Sequence, residues 1–589
     1  MKRLLPLMFV AAVAVLPLLP VPHFWFTQAN YIGLYALVVL GLVVLTGIAG
    51  LTSFGQAAFV GIGAYATAYL TSHYGLSPWL TLLAGLCITG LSALIIGAIT
   101  LRMSGHYLPL ATIAWSIALY YLFGSIEWLG KYDGIAGLPA IDLFGWTLGN
   151  SRSMYWLIWL CVGLSAWALL NLLDSRPGRA IRALKHSIQM AESMGVDTAR
   201  TKITIFVIAA LLASVSGWLF AHLQRAINPT PFGLNASLEY VIMLVVGGMS
   251  SIWGALLGSG LVKLLQDQLQ VIMPALFGRA GSFEGLVFGL LIILLLRFAP
   301  EGLWPWVARL WNRPLRKQAP APQTAMTPLT PRAVSQAGET LLEVDNVRKR
   351  FGGLVAVDQV NFKVAAGEIV GLIGPNGAGK STTFNLVTGL LRASDGQVRF
   401  KGRRIDGLPS REIAKLGVAR TFQHVKLVPE MSVLENVALG AHLRTRAGVI
   451  SATLRLDRRD EAAMLKAAAD ALERVGLQDL MHMEAGSLAL GQQRLLEIAR
   501  ALCCDPALLL LDEPAAGLRA FEKQALAELL SSLRAEGMGI LIVEHDMEFV
   551  MRLTDHIVVM VFGQKIAEGK PAEIQRHPAV LEAYLGGVE

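Results

Sequence analysis

Charge is scarce in the first half of this 589-residue chain. Only 16% of all residues are Asp, Glu, Lys or Arg, and most of them lie beyond residue 343, whereas the stretch before Arg297 is dominated by long apolar runs. That shortage excludes a single soluble core, and 54% hydrophobic residues is more than soluble domains carry. Cysteine is sparse too. Cys87, Cys161, Cys503 and Cys504 show no framework spacing, which excludes a disulfide scaffold and suits reduced thiols in membrane and cytosol. No basic stripe with interleaved aromatics occurs, so the net charge of +8 does not point to nucleic acid; basic residues gathered on one side of a membrane account for it. Charged residues deep inside the apolar runs are nearly absent, since Glu239, Lys263 and Glu284 fall near run ends. This argues against a pump with a buried proton relay and is compatible with an uncharged, zwitterionic or partly apolar solute.

The apolar runs lie near 4–22, 29–50, 54–73, 79–101, 107–125, 153–173, 203–223, 238–250, 252–265 and 283–299. Most approach the length needed to cross about 30 Å of hydrocarbon, so about ten spans are expected. The first, behind Lys2 and Arg3, reads as a span or as a signal peptide; no clear small-x-small cleavage site follows it. The short runs 238–250 and 252–265 read as two spans or as one re-entrant pair. The loop from 174 to 202 holds Arg176, Arg179, Arg182, Lys185, Arg200 and Lys202 against Asp174, Glu192 and Asp197, which places it in the cytoplasm. The loop from 126 to 152, with Glu127, Asp133 and Asp142 against Lys131 and Arg152, suits the outer face. Counting from a cytoplasmic N-terminus satisfies both loops and returns the chain to the cytoplasm. Gly254-x-x-x-Gly258 and Gly285-x-x-x-Gly289 let helices approach closely, within the chain or at a dimer face.

Residues 312–340 are rich in Pro, Ala, Thr and Gln, including Pro314, Pro320, Pro322, Pro328 and Pro331, and predict an extended tether. The expected organisation is a membrane domain over 1–305, a linker over 306–340 and a soluble α/β domain over 341–589. That last part opens with strand-like runs at 341–347 and 360–364, and a third at 368–373 leads into Gly374, Pro375, Asn376, Gly377, Ala378, Gly379, Lys380, Ser381 and Thr382. Strand, glycine-rich turn and helix are the setting in which backbone N–H groups surround phosphate oxygens. Lys380 would reach the β and γ phosphates and Ser381 would hold Mg²⁺. Four leucines, 508–511, form a buried parallel strand ending in Asp512 and Glu513. Asp512 can bind Mg²⁺ through water, and Glu513 can polarise the attacking water. A further strand, 540–543, ends in Glu544, His545 and Asp546, which places His545 where a γ-phosphate contact could sit, although a lone histidine is usually structural.

From about 341 to 589 the chain resembles an ATP-binding cassette, most fully the branched-chain amino-acid uptake ATPases. The resemblance rests on Arg350-Phe351-Gly352-Gly353-Leu354, Arg420-Thr421-Phe422-Gln423-His424-Val425, Leu490-Gly491-Gln492-Gln493-Arg494, Asp512-Glu513-Pro514-Ala515-Ala516-Gly517-Leu518 and Glu544-His545-Asp546-Met547. It implies an α-helical multi-span membrane domain followed by an α/β P-loop NTPase of ABC ATPase type with a helical subdomain. It also implies ATP and Mg²⁺ as ligands, with Phe351 stacking on adenine, Gln423 coupling the Mg²⁺ site to the membrane half, Glu513 as general base and His545 as switch histidine. Gly491 and Gln492 would meet the nucleotide of a partner cassette. Over about 25–305 the chain resembles the matching ten-span permease, on Gly50-Leu51-Thr52-Ser53-Phe54-Gly55-Gln56, Gly178-Arg179-Ala180, Ser193-Met194-Gly195-Val196, Val246-Gly247-Gly248-Met249 and Pro300-Glu301-Gly302-Leu303. In that family the cytoplasmic loop carries a short helix that docks on the ATPase, and Ala180, Ile181, Leu184 and Ile188 have the period of an amphipathic helix.

Two positions depart from the cassette pattern. The signature loop reads Leu488-Ala489-Leu490-Gly491-Gln492, with alanine for the usual serine, and Arg519 stands where Asp or Asn is usual. Loss of the hydroxyl removes one donor to a γ-phosphate and puts equal turnover at the two composite sites in doubt. The resemblance implies ATP-driven uptake of branched-chain or related amino acids through a bacterial inner membrane, with the ATPase on the cytoplasmic side. Its implied partners are a second permease, a second ATPase, a periplasmic solute-binding protein and membrane lipid. Urea, an amide or an aromatic acid is an alternative solute, and a scaffold cassette that leaves hydrolysis to its partner is an alternative role.

Overall fold

The computed structural model describes residues 11, 13–103, 105, 107–143, 145–277, 284–311, 329–333 and 335–585. Residues 4–10 and 12 of the run expected near 4–22, and most of the proline-rich linker, lie outside these residues. The chain forms two compact units, one from 1–173 with 199–316 and the other from 174–198 with 317–589.

The first unit is helical because its runs are apolar all round, as burial in lipid or in a bundle requires. Its helices are α1 (His23–Leu42), continued by a π-helical turn Val43–Ile48, α2 (Gln56–Tyr74), α3 (Pro78–Thr100), α4 (Tyr107–Ser125) and α5 (Ser151–Leu173), then α8 (Thr198–Gln224), α9 (Leu234–Gly247), α10 (Ile252–Phe277), α11 (Glu284–Phe298) and α12 (Trp304–Trp311). Among the described residues, five helical segments are long and apolar enough to cross a membrane: His23–Ile48, α3, α4, α5 and α8. The expected short runs near 238–265 are the pair α9 and α10, bent by 118° at residues 248–251. Between Ile48 and Gln56 the backbone leaves the helix, and hydroxyls satisfy it there. Thr46 Oγ1 donates to the Leu51 carbonyl at 3.1 Å, and Thr112 Oγ1 accepts from Phe54 N at 3.1 Å.

The two glycine pairs separate. A Cβ on Gly258 would come 2.0 Å from the Met243 carbonyl oxygen, so this pair seats α10 on α9 within the chain. Gly285 and Gly289 meet nothing within 4 Å among the described residues.

The second unit takes the helices α6 (Arg176–His186) and α7 (Ile188–Ser193) from between α5 and α8. The rest follows from β1 (Thr340–Phe351), β2 (Leu354–Ala365), β3 (Ile369–Ile373), α13 (Lys380–Val387), β4 (Asp395–Phe400), α14 (Ser410–Leu416) and β5 (Val418–Arg420). After these come α15 (Val433–Ala438), α16 (Arg458–Arg474), α17 (Leu490–Cys503), β6 (Leu508–Asp512), α18 (Ala520–Ala535), β7 (Gly539–Val543), α19 (Met547–Leu553), β8 (His556–Val561), β9 (Gln564–Gly569) and α20 (Pro578–Leu585). The main sheet runs β5-β6-β7-β3-β8-β9, parallel except for the last pair. Every residue of β3, β6 and β7 is buried, as expected of strands covered on both faces. A second sheet, β2-β1-β4, is antiparallel. The helical subdomain packs α15, α16 and α17 around Val433, Val437, Met464, Ala468, Leu472 and Leu496.

This topology fixes where chemistry can sit. In parallel α/β sheets, ligands gather at the carboxyl ends of strands where the order reverses. Here β3 runs into residues 374–379, β6 ends in Asp512, and β7, paired Asp512 to Val543, delivers Glu544 and His545 alongside.

Candidate functional site

The phosphate loop has the form its sequence predicts. Gly379 caps α13 at φ +93°, and a Cβ there would lie 2.5 Å from the Ala356 carbonyl oxygen, so only glycine fits. Lys380 is buried and donates to the carbonyls of Gly374 at 2.7 Å and Pro375 at 2.9 Å. Its ammonium thus curls over the loop whose N–H groups would hold phosphate. Burial lowers its pKa, and Glu513 and Asp512 oppose that shift. Asn376 and Gly377 are exposed at the crest, and Ser381 is exposed on the first turn of α13.

Opposite stands a carboxylate pair. Asp512 is buried; desolvation raises its pKa against the pull of Arg420, and its Oδ1 has no hydrogen-bond partner. An orphaned buried carboxylate oxygen whose charge is felt by the lysine of the phosphate loop fits a hydrated divalent cation. Glu513 takes a left-handed backbone, φ +50°, pinned by its N–H donating to the Val543 carbonyl at 2.8 Å. Its Oε1 accepts from Gln423 Nε2 at 3.0 Å and faces His545 Nε2 at 2.6 Å. Three residues chosen from separate stretches of sequence therefore converge on one oxygen. A non-glycine residue held at positive φ costs on the order of 1–3 kcal/mol, and such strain collects where a side chain must be aimed.

Several residues without a predicted role support this corner. Glu544 is buried, accepting from Ala515 N at 2.6 Å and His545 N at 2.9 Å, so one carboxylate holds both the segment after Glu513 and the histidine backbone. Its signal in sequence is an acid directly after a buried strand. Arg420 lies between the rings of Phe384 and Phe422, 4.9 and 4.5 Å from their centroids, and burial pulls its pKa down to about 10. The segment carrying Gln423 is tied to α17: Arg494 donates to the Phe422 carbonyl at 3.0 Å, and the buried pair Arg500–Glu497 holds the carbonyl and the N–H of Lys426.

Phe422 also belongs to the docking face. It packs with Ala180, Ala183, Met190, Ala191, Met194 and Val196 of the 174–198 segment. Arg179, almost fully buried, forms a two-pronged ion pair with Glu461, one bond at 2.9 Å. Arg176 donates to the carbonyls of His442 at 2.7 Å and Ala447 at 2.8 Å, and Gln189 Oε1 accepts from Lys426 Nζ at 2.8 Å. Ala180, Ile181 and Leu184 are buried as the amphipathic pattern predicts, but Ile188 is exposed. The cause is a break at Ser187, which is extended and caps α7 by accepting from Met190 N; the restarted helix turns Met190 and Ala191 inward instead.

The signature loop lies elsewhere on the unit. Ala489 N donates to Gln492 Oε1 at 3.1 Å, and a Cβ on Gly491 would stand 2.9 Å from the Glu522 carboxylate. Phe351, at the end of β1, is 46% exposed, with Lys349 Nζ 5.0 Å from its ring centroid.

Residues 25–296 match the family model described as branched-chain amino acid transport system / permease component. Residues 357–516 match that of the ABC transporter, and 564–589 that of the branched-chain amino acid ATP-binding cassette transporter. The high-affinity branched-chain amino acid transport ATP-binding protein LivG of Escherichia coli (strain K12) is 45% identical over 251 residues, 42% of this chain and 98% of that protein. The corresponding BraF of Pseudomonas aeruginosa is 45% identical over 249 residues, 42% of this chain and 98% of BraF. A probable LivG of Archaeoglobus fulgidus is 41% identical over 249 residues, 42% of this chain and 95% of that protein.

Proposed function

Because this chain belongs to the branched-chain amino acid ABC transporters, with permease and cassette joined in one polypeptide, we propose that it drives uptake of branched-chain amino acids with the free energy of ATP hydrolysis. It is a membrane-integral, nucleotide-binding ATPase that works with partner subunits. We assign 1–305 to the permease, 306–340 to the linker and 341–589 to the cassette. The partners are a second permease, a second cassette and a periplasmic solute-binding protein, and the complex sits in the bacterial inner membrane with the cassettes in the cytoplasm.

In this reading the 374–382 loop and Lys380 hold the β and γ phosphates, and Phe351 stacks on adenine. Ser381 and Asp512 would hold Mg²⁺, with Gln423 at its edge, and the ion when bound neutralises charge on the transferring phosphoryl group. Glu513 takes the proton of the attacking water, while Gln423 and His545 aim its Oε1. Gly491 and Gln492 complete the site of the partner cassette.

The observation that carries the proposal is that Gln423 meets Glu513 while the preceding Phe422 packs in the docking cluster. Closing the nucleotide corner would therefore shift the surface on which α6 and α7 rest, and those helices continue covalently into α5 and α8. Differential nucleotide binding would in this way bias the access of the permease. Glu513→Gln in the complete complex tests the assignment. ATP should still bind, turnover should fall by about 10²–10⁴-fold, and vesicles should lose uptake. Unimpaired uptake would refute the role of Glu513.

A further inference from the structure

Phe562 is placed where neither folding nor packing explains it. It is 90% exposed, and with Gly563 it forms the two-residue turn between β8 and β9, at φ +47° and +83°. Two consecutive positive φ angles at a tight hairpin favour Asn-Gly, and a bulky aromatic at the first position is an outlier. The exposed ring gains almost nothing from the hydrophobic effect in this unit. Backbone strain of this kind collects at ligand-binding positions, and a ring so exposed is free to meet a ligand.

The turn is joined to the phosphate loop. Gly563 N donates to the Ala378 carbonyl of the phosphate loop at 3.1 Å, and the Gly563 carbonyl accepts from Asp358 N on β2 at 2.8 Å. A Cβ on Gly563 would lie 2.9 Å from the Ala356 oxygen, the same atom that a Cβ on Gly379 would meet at 2.5 Å. The turn is thus clamped against the phosphate loop. Ala356 stands two residues beyond Leu354, which pairs with Phe351 across the β1–β2 turn. Two exposed phenyl rings, Phe351 and Phe562, therefore sit on turns that strand β2 connects to one phosphate-binding loop.

We infer that Phe562 is a second contact for the purine base, so that adenine is held between the ring on the β1–β2 turn and the ring on the β8–β9 turn. The inference rests on the nucleotide-binding reading and adds a residue outside its motifs. Offset aromatic stacking is worth enough to tighten binding about 3- to 10-fold.

Phe562→Asn is the sharpest variant, because asparagine suits the turn better than phenylalanine and removes only the ring. In the assembled complex, the Kd for ATP should rise about 3- to 10-fold, inhibition by inorganic tripolyphosphate should stay unchanged, and Phe562→Trp should bind ATP at least as tightly as the parent. An unchanged ATP Kd in Phe562→Asn overturns the inference, as does an equal loss for tripolyphosphate, which would mean the turn merely shapes the phosphate loop. Weakened assembly of the complex with unaltered ATP affinity overturns it too, since the ring would then face another subunit. Failure of the unsubstituted protein to bind ATP at all would instead remove the broader nucleotide assignment.

Discussion

Two faces of the cassette unit differ in how finished they are. On the docking face, α6 and α7 bury their apolar side chains against Phe422, Val428, Met431 and Leu439, and Arg179 is neutralised by Glu461. At the signature corner, Leu490 is 56% and Phe521 66% exposed, Arg519 is exposed without a side-chain cap to α18, and Ala489 offers no hydroxyl. The chain satisfies its contact with the permease loop by itself. In the proposed function, what it would offer a partner's nucleotide is chiefly the backbone N–H groups at the start of α17.

Breaking the finished face should have the larger effect. Arg179→Ala leaves Glu461 in a mostly buried place without its guanidinium, a change that costs about 3–5 kcal/mol where the pair is enclosed. Uptake should fall by more than about tenfold while ATP still binds; a variant with parental uptake would mean the face is dispensable. Measuring Glu461→Ala and the double variant alongside gives the pairwise coupling.

A second test of that face uses pH. Burial, with help from the positive charges of Arg176 and Arg179, pushes the imidazole of His442 down to about 3. The folded form thus binds this proton less readily than the unfolded chain does. Its contribution is fully present above about pH 6.5 and is lost as pH falls toward 3, by up to about 1.4 kcal/mol per pH unit. Unfolding midpoints of the parent and of His442→Gln, followed from pH 7 to 4, should therefore converge as the pH falls. Parallel curves would show that His442 takes up its proton without cost.

The smallest effect belongs to the unfinished corner. Ala489→Ser restores one hydroxyl, and a single hydrogen bond near 1 kcal/mol corresponds to about a fivefold gain in turnover. No gain would show that the step it assists does not limit the cycle.

The two faces were not equally readable. Glu513 could be named in advance because it closes a buried strand, whereas Gln423 and the role of His545 came only from the resemblance to the cassette family; the register of β6 with β7 then explains why Glu513 and His545 lie side by side. The docking helix could be anticipated from its period, but not the break at Ser187 that turns Ile188 outward, since one capping serine resets the helical phase. Nor could the pairing of Arg179 with Glu461, 282 residues away, be read, because nothing local records which subdomain helix will lie opposite. In the first unit the long helices are visible as hydropathy, whereas the hydroxyls that satisfy the unwound stretch after Ile48 act through contacts as distant as Thr112.

Segment 174–198 is inserted within the permease sequence yet packs as part of the cassette unit. That makes its docking an intramolecular event, governed by effective concentration. With permease and cassette on one polypeptide, the local concentration of the cassette near its own loop is on the order of millimolar. The contact can then loosen and re-form during each cycle without the cassette escaping. A free cassette of the same type would have to reach a comparable concentration before it could displace the tethered one.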